Sequence, residues 1–125
     1  MWMTFGGLMS KYFVIYYEDK NGVSPILNFI EEMNLKHQAK IIRTIELLEV
    51  NGPALREPFS KYIGDNLFEL RIIFGSDISR IIYFFIKGKE IVLVHAFKKK
   101  TDKISRLDMN TARIRREWYL KNKEK

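Results

Sequence analysis

The chain of 125 residues has no cysteine, which excludes disulfide bonds, thiolate nucleophiles and cysteine-ligated zinc. It has only two histidines and no group of carboxylates at ligand spacing, so neither a metal site nor a cofactor is expected. No apolar run is long enough to span a bilayer, and the apolar residues 1–10 lack the basic start of a signal peptide. These absences predict a cytoplasmic protein with no membrane partner.

Apolar and basic residues are the abundant ones. Hydrophobic residues make up 46% of the chain and charged residues 30%, a balance typical of one globular domain with a substantial core. The net charge of +7 is uneven, because residues 1–60 carry six Lys or Arg against seven Asp or Glu, whereas residues 61–125 carry 16 against eight. A basic half is typical of a protein that binds a polyanion, and a solubilising surface is the alternative.

Composition divides the chain into three parts. Residues 1–10 are predicted to be an N-terminal extension, residues 11–121 the folded domain, and residues 122–125 a basic tail. Met1 and Met9 are both candidate start residues, since Met9 lies just before the first predicted strand.

The first sixty residues predict one strand and two helices. Lys11–Glu18 is apolar on both faces, which is typical of a strand covered on both sides. Ser24 and Pro25 indicate a helix start, because serine caps helices and proline suits the first helical position. A second helix, Leu35–Val50, ends at Gly52. The two helices are predicted to form a hairpin that covers one face of a sheet.

Three strands follow, separated by short turns that contain glycine. Asn66–Phe74, Ser79–Ile86 and Glu90–Phe97 are rich in β-branched and aromatic residues. This pattern predicts an antiparallel meander.

A last helix closes the predicted fold. It spans Ile104–Lys121, with Thr101 or Asp102 as its cap, and its sparse apolar positions leave three roles open: packing along the sheet edge, RNA contact or partner docking. The element order is β-α-α-β-β-β-α. It predicts an α+β domain whose mainly antiparallel four-stranded sheet is covered by the helical hairpin.

Basic side chains surround the predicted meander. Arg71 shares strand parity with Glu69 and projects away from the more apolar face, and Arg80 opens the next strand. Arginine binds phosphate oxygens through its planar fork, and lysine among other cations can bind phosphate or transfer protons. The lysines in position to do so are Lys61, Lys98 and Lys100. The alternative roles are structural, with Arg71 paired to Glu69, and Arg80 paired to Asp77 or Glu69.

The two histidines are interpreted differently. His95 has the strand parity of Ile91, Leu93 and Phe97, which favours a packed, hydrogen-bonded histidine over a catalytic one. His37 lies on the second predicted helix and is given no role.

Four segments, in this order, carry a resemblance to a known family: LFELR from Leu67, SRIIYFF from Ser79, IVLVHAFKKKTDK from Ile91 and ARIRREWYL from Ala112. Over Tyr12–Leu120 the chain resembles the RelE/HigB toxins of type II toxin–antitoxin systems. It is most similar to their phage-derived HigB-like or Tad-type branch. The resemblance implies a RelE-like fold with the element order given above.

The resemblance also implies an activity: a metal-independent endoribonuclease, or mRNA interferase, that cleaves mRNA on the ribosome by 2′-OH attack and so inhibits translation. The implied partners are the ribosome, mRNA and a cognate helix-turn-helix antitoxin, and the free toxin would be a monomer or weak homodimer. The implied catalytic residues are Arg71, Arg80 and Lys100, with His95 as a further candidate. The implied RNA-binding residues are Lys61, Lys98, Lys99, Lys103 and Arg106. The implied antitoxin or ribosome contacts are Arg113 and Arg116.

Three classes of function stay open on the sequence. The first is the ribosome-dependent endoribonuclease, and the second is a non-catalytic nucleic-acid-binding or ribosome-binding module of phage origin. The third is a subunit whose basic face binds an acidic protein. The paired histidine and glutamate of microbial ribonucleases are not evident in the sequence, which keeps the second class open.

Overall fold

The computed structural model describes residues 11–98 and 103–123 of the chain. Residues 1–10 and 124–125, which belong to the predicted extension and tail, lie outside the described residues. Four further residues with predicted roles also lie outside them: Lys99, Lys100, Thr101 and Asp102.

Three helices and five strands make up the described part of the chain. In chain order they are β1 (Phe13–Tyr16), α1 (Pro25–Glu31), α2 (Leu35–Asn51), β2 (Ser60–Gly64), β3 (Leu67–Phe74), β4 (Asp77–Ile86), β5 (Glu90–Lys98) and α3 (Arg106–Asn122). A short 3₁₀ turn, Gly52–Ala54, follows α2. None of these helices has both the length and the apolarity that crossing a bilayer requires.

The α+β class and the order of the predicted elements are confirmed, but the sheet in the described part of the chain has five strands rather than four. The strand order is β1-β5-β4-β3-β2, with β1 parallel to β5 and the other neighbours antiparallel. The additional strand, β2, forms a hairpin with β3 through Asp65 and Asn66, whose φ angles of 56° and 57° fit a type I′ turn. Sequence patterning missed β2 because it is short and begins with Ser60 and Lys61, which favour strands weakly.

The helical hairpin begins and ends close to the predicted residues. The Oγ of Ser24 accepts a hydrogen bond from the Leu27 N–H at 3.2 Å, and Pro25 occupies the first helical position. α2 ends one residue later than predicted, and Gly52 follows it with a φ of 52°. Both helices therefore follow from local capping signals.

The cap of α3 is Ser105 rather than Thr101 or Asp102. The Ser105 Oγ accepts a hydrogen bond from the Asp108 N–H at 3.0 Å and donates one to the Asp108 Oδ2 at 2.7 Å. Ser105 thus satisfies one N–H group of the first helical turn, which has no partner within the helix, so α3 begins at Arg106.

The sheet separates two cores. α1 and α2 cover one face of the sheet, called here the hairpin face, and α3 covers the other, called the α3 face. The hairpin face buries Ile26, Ile41, Leu48, Leu70 and Ile81 among others. The α3 face buries Ile82, Phe84, Val92, Val94 and Ala112 among others. Side chains that alternate along one strand therefore enter different environments.

Gly52→Ala is expected to destabilise the fold by about 2–5 kcal/mol. A Cβ at the positive φ of Gly52 is strained, and it would also lie inside van der Waals contact of the Tyr12 ring. Gly22→Ala is the matched control, because Gly22 has a φ of 80° but a Cβ there meets no described atom within 4 Å. Urea denaturation should show a loss of only about 1–2 kcal/mol for Gly22→Ala. Equal losses at the two positions would contradict the role of the Tyr12 contact.

Candidate functional site

Side chains on the α3 face form two neighbouring rows across β2, β3, β4 and β5. Paired residues on adjacent strands lie about 5 Å apart, so members of one row are close neighbours. The first row is Lys61, Glu69, Ile82 and His95. The second row is Arg71, Arg80 and Phe97. The sheet therefore brings Arg71 and Arg80, two of the predicted catalytic residues, together with Lys61.

Glu69 lies between the two arginines. Its Oε1 is 3.7 Å from the Arg71 Nε, and its Oε2 is 3.3 Å from the Arg80 Nη1. The side chains of Glu69 and Arg80 are only 3% and 1% exposed, whereas that of Arg71 is 22% exposed. Attraction between buried charges is strong because little water screens it, so Glu69 holds both guanidinium groups in place. Of the two arginines, Arg71 is the one that a ligand can reach directly.

A cavity of about 250 Å³ lies beside the first row, between the edge of β2 and the start of α3. Lys61, Glu69 and Lys103 line it. Lysines are groups that contact the phosphates of single-stranded nucleic acid. Two predicted RNA-binding lysines therefore line the same cavity as Glu69. Glu69 in turn contacts Arg71.

Lys98 lies on the opposite, hairpin face. It is paired in register with Ser79, whose Oγ is 3.1 Å from the Nε2 of buried His37 on α2. The Lys98 Nζ is 3.7 Å from the Asp77 Oδ2. The structure therefore does not bring Lys98 together with Arg71, although both were predicted to serve one site.

His95 projects from the α3 face, not from the face that its parity with Leu93 predicted. β4 pairs Ile82 with His95 but Tyr83 with Leu93, so no residue of β4 lies opposite Val94. This one-residue bulge reverses the side on which the following residues project. The strand-parity argument fails because it assumes an uninterrupted ladder.

Both ring nitrogens of His95 contact charged residues of α3. The Nε2 is 2.7 Å from the Asp108 Oδ1, and the Nδ1 is 3.3 Å from the Arg115 Nη1. Because a guanidinium can only donate, the Nδ1 is the acceptor and the Nε2 donates its proton to Asp108. Arg115 also donates to the carbonyl oxygen of Val94, the bulge residue, at 2.9 Å. His95 is therefore packed and hydrogen-bonded, and it fastens β5 to α3.

The stability of the fold is expected to fall as the pH drops through the range in which histidines titrate. Burial lowers the pKa of His95 even though Asp108 raises it, and burial beside Lys98 lowers the pKa of His37. A histidine with a depressed folded pKa contributes fully above its unfolded value of about 6.5, and that contribution is lost as the pH falls through the folded pKa. Melting temperatures should therefore decrease from about pH 7.5 to about pH 5, and NMR titration of both imidazoles should give midpoints below about 6.5. Midpoints above that value would contradict the burial of the two rings.

Arg113 and Arg116 are bound within the chain. The Asp65 Oδ2 accepts hydrogen bonds from the Arg113 Nε at 2.7 Å and from the Arg116 Nη2 at 3.0 Å, and Arg116 also donates to the Asp65 carbonyl oxygen. The two guanidinium groups lower the pKa of Asp65. Both arginines therefore fasten α3 to the turn between β2 and β3, a structural role that the sequence did not indicate. Arg106 is exposed at the first position of α3.

Sequence reasoning missed Asp108 and Arg115, and it treated Glu69 only as a partner for an arginine. A signal for Glu69 was present, because its alternation with Arg71 along β3 is visible in the sequence. No local signal joins Asp108 or Arg115 to His95, since that contact depends on where α3 docks. Within residues 11–98 and 103–123, no three His, Asp or Glu side chains gather as the ligands of a metal ion would.

One family model, described as phage derived protein Gp49-like (DUF891), matches the chain over residues 28–117. The matched region contains α2, strands β2 to β5 and most of α3, so it includes every member of the two rows. No curated protein matches the chain.

Proposed function

The chain belongs to the Gp49-like family of phage-derived proteins, a family associated with toxin–antitoxin systems, and from this premise we propose that it is the toxin of a type II pair and cleaves mRNA on the ribosome. The proposal includes RelE/HigB-type chemistry in the cytoplasm. Its natural partner is proposed to be a helix-turn-helix antitoxin.

One observation carries the proposal: an accessible guanidinium, that of Arg71, is held by a buried carboxylate beside a cavity lined by lysines. Burying Glu69 and Arg80 costs desolvation free energy, and a surface that serves only solubility does not need such buried charges beneath it. Lys61 and Lys103 extend the cationic surface beyond Arg71. This arrangement supports recognition of a phosphodiester backbone.

RNA cleavage by 2′-OH attack requires three tasks at one phosphate. The 2′-oxygen loses its proton and bonds to phosphorus, the phosphoryl oxygens gain negative charge, and the 5′-oxygen takes a proton as its bond to phosphorus breaks. We assign the second task to Arg71, because its planar fork can bind two oxygens at once. Glu69 and Arg80 act as positioning residues. The products are a 2′,3′-cyclic phosphate and a 5′-hydroxyl end.

A second candidate is a non-catalytic RNA-binding or ribosome-binding module. It is favoured because His95 and Glu69, which could transfer protons, already contact other side chains of the protein. In the described residues, both nitrogens of His95 contact residues of α3, and the carboxylate of Glu69 faces two guanidinium groups. If the chain is an endoribonuclease, the proton transfers fall to the predicted lysines Lys61 and Lys100 or to groups of the ribosome.

Induced expression in growing bacteria separates the two candidates. An endoribonuclease is expected to arrest growth and to create new ends on mRNAs that are being translated. A binding module is expected to slow translation without creating such ends. Normal growth, together with unchanged mRNA at high levels of folded protein, would contradict both candidates.

A further inference from the structure

The outer surface of α3 carries a row of exposed apolar side chains. Leu107 is 76% exposed, Ile114 67% and Trp118 37%. At about 100° per residue these three positions fall within about 60° of one another, on the side of α3 that faces away from buried Ala112. Leu107, Ile114 and Trp118 are called here the α3 stripe. An apolar row of this length on a helix is typical of a surface that packs against another element.

The α3 stripe ends at a cavity of about 520 Å³. Trp118 belongs to both, and Ile15 and Leu27 provide further apolar lining of the cavity. The Trp118 ring packs edge-on against Tyr17, with ring centroids 5.9 Å apart, so this wall of the cavity is held in place. Interfaces concentrate their binding energy in such pockets, which receive one apolar anchor from the partner.

Charges are distributed unequally along the α3 stripe. Arg106 and Arg113 lie along the edge of its first half, about 80–100° around the helix from Ile114. Arg113 shares the carboxylate of Asp65 with a second arginine, so this group keeps a net positive charge. The cavity at the other end is lined by the carboxylates of Glu18 and Asp19 and by one lysine, Lys123, and exposed Glu117 lies on the same edge of the helix near this end. A complementary partner therefore places its carboxylates opposite the two arginines and not opposite the cavity.

We propose that the α3 stripe binds an amphipathic helix of a second protein, whose apolar side chains pack on the stripe and whose carboxylates face Arg106 and Arg113. The identification of this second protein as the antitoxin rests on the proposed function, but the surface itself does not. A second copy of this chain fits less well, because each copy carries a net charge of +7. Residues 1–10 contain no Asp or Glu and so cannot supply the carboxylates.

Titration of the full chain with three designed helical peptides tests the proposal. The first peptide has leucines at helical spacing and glutamates grouped at one end, the second has lysines in place of the glutamates, and the third has serines in place of the leucines. Calorimetry is expected to detect binding of the first peptide alone. Leu107→Ser and Ile114→Ser in the chain are each expected to weaken this binding about tenfold. Leu35→Ser is the matched control, because Leu35 is an exposed leucine at the start of α2, outside the stripe.

Several results would overturn the proposal. The proposal is wrong if the first peptide does not bind, or if the lysine peptide binds as tightly as the first. It is also wrong if Leu35→Ser weakens binding as much as Leu107→Ser or Ile114→Ser. Self-association that Ile114→Ser abolishes would assign the α3 stripe to a second copy. Peptide binding that requires deletion of residues 1–10 would assign the stripe to the start of the chain itself.

The same samples distinguish failure of this inference from failure of the proposed function. RNA cleavage by a chain that binds none of the peptides would reject the docking surface alone. Binding of the first peptide by a chain that cleaves no RNA would reject the proposed function alone.

Discussion

Arg71→Ala is expected to slow RNA cleavage by about 10²–10³-fold, because it removes one charge contact to the transition state. The protein should still fold, since the Arg71 side chain is partly exposed and Arg80 continues to face Glu69. Arg71→Lys should recover little of the lost rate, because an ammonium group cannot reproduce the two-pronged contact of a guanidinium. Cleavage rates in a translating extract, measured beside circular dichroism spectra, check both expectations.

Arg43→Ala is the matched control for this prediction. It removes an arginine from an exposed position of α2, on the hairpin side of the sheet, and should leave the cleavage rate unchanged. If Arg71→Ala cleaves at the wild-type rate, the assignment of Arg71 is wrong. His95→Ala would then be the next variant to measure.

Glu69→Gln is expected to lower the free energy of unfolding by about 3–5 kcal/mol, a large share of the stability of a typical domain. The substitution keeps the shape of the side chain but removes the buried negative charge that faces Arg80 and Arg71. Arg80→Ala should be costly for the same reason, so loss of activity in that variant would not by itself identify a catalytic residue. Urea denaturation gives the free energies.

Two further variants control the Glu69 measurement. Glu46→Gln removes an exposed carboxylate on α2 and should change stability by no more than about 0.5 kcal/mol. The double variant Glu69→Leu with Arg80→Met should regain much of the lost stability, because apolar residues of similar volume replace both buried charges. A loss below about 1 kcal/mol for Glu69→Gln would show that this carboxylate does not hold the arginines.

Most of the fold was predictable because its signals are local. Ser24 and Pro25 mark a helix start whatever the tertiary structure, and glycine-containing turns separate β3, β4 and β5. The two failures at element level have physical causes. β2 is short and begins with polar residues, so it gains its stability from pairing with β3 and not from its own propensity. The cap of α3 was misplaced because several neighbouring polar residues can serve as caps, and Ser105 does so.

The candidate site was predictable only where it follows from alternation along one strand. Arg71 and Glu69 share a face because they are two residues apart on β3. The burial of Arg80 depends on the register of three strands. The position of His95 depends on a bulge at Val94, which no local sequence pattern predicts. Asp108 reaches His95 only because α3 docks where it does. Strand register, bulges and helix docking are tertiary properties. The positions of residues that depend on them could therefore not be predicted from local sequence patterns.

Mapping of 5′-hydroxyl ends on mRNA in a translating extract tests the central proposal most directly. Addition of the purified chain is expected to create new 5′-hydroxyl ends within translated messages. Those ends should be lost with Arg71→Ala and retained with Arg43→Ala. Intact mRNA in an extract whose ribosomes demonstrably bind the chain would contradict the proposed cleavage and favour the non-catalytic binding module instead.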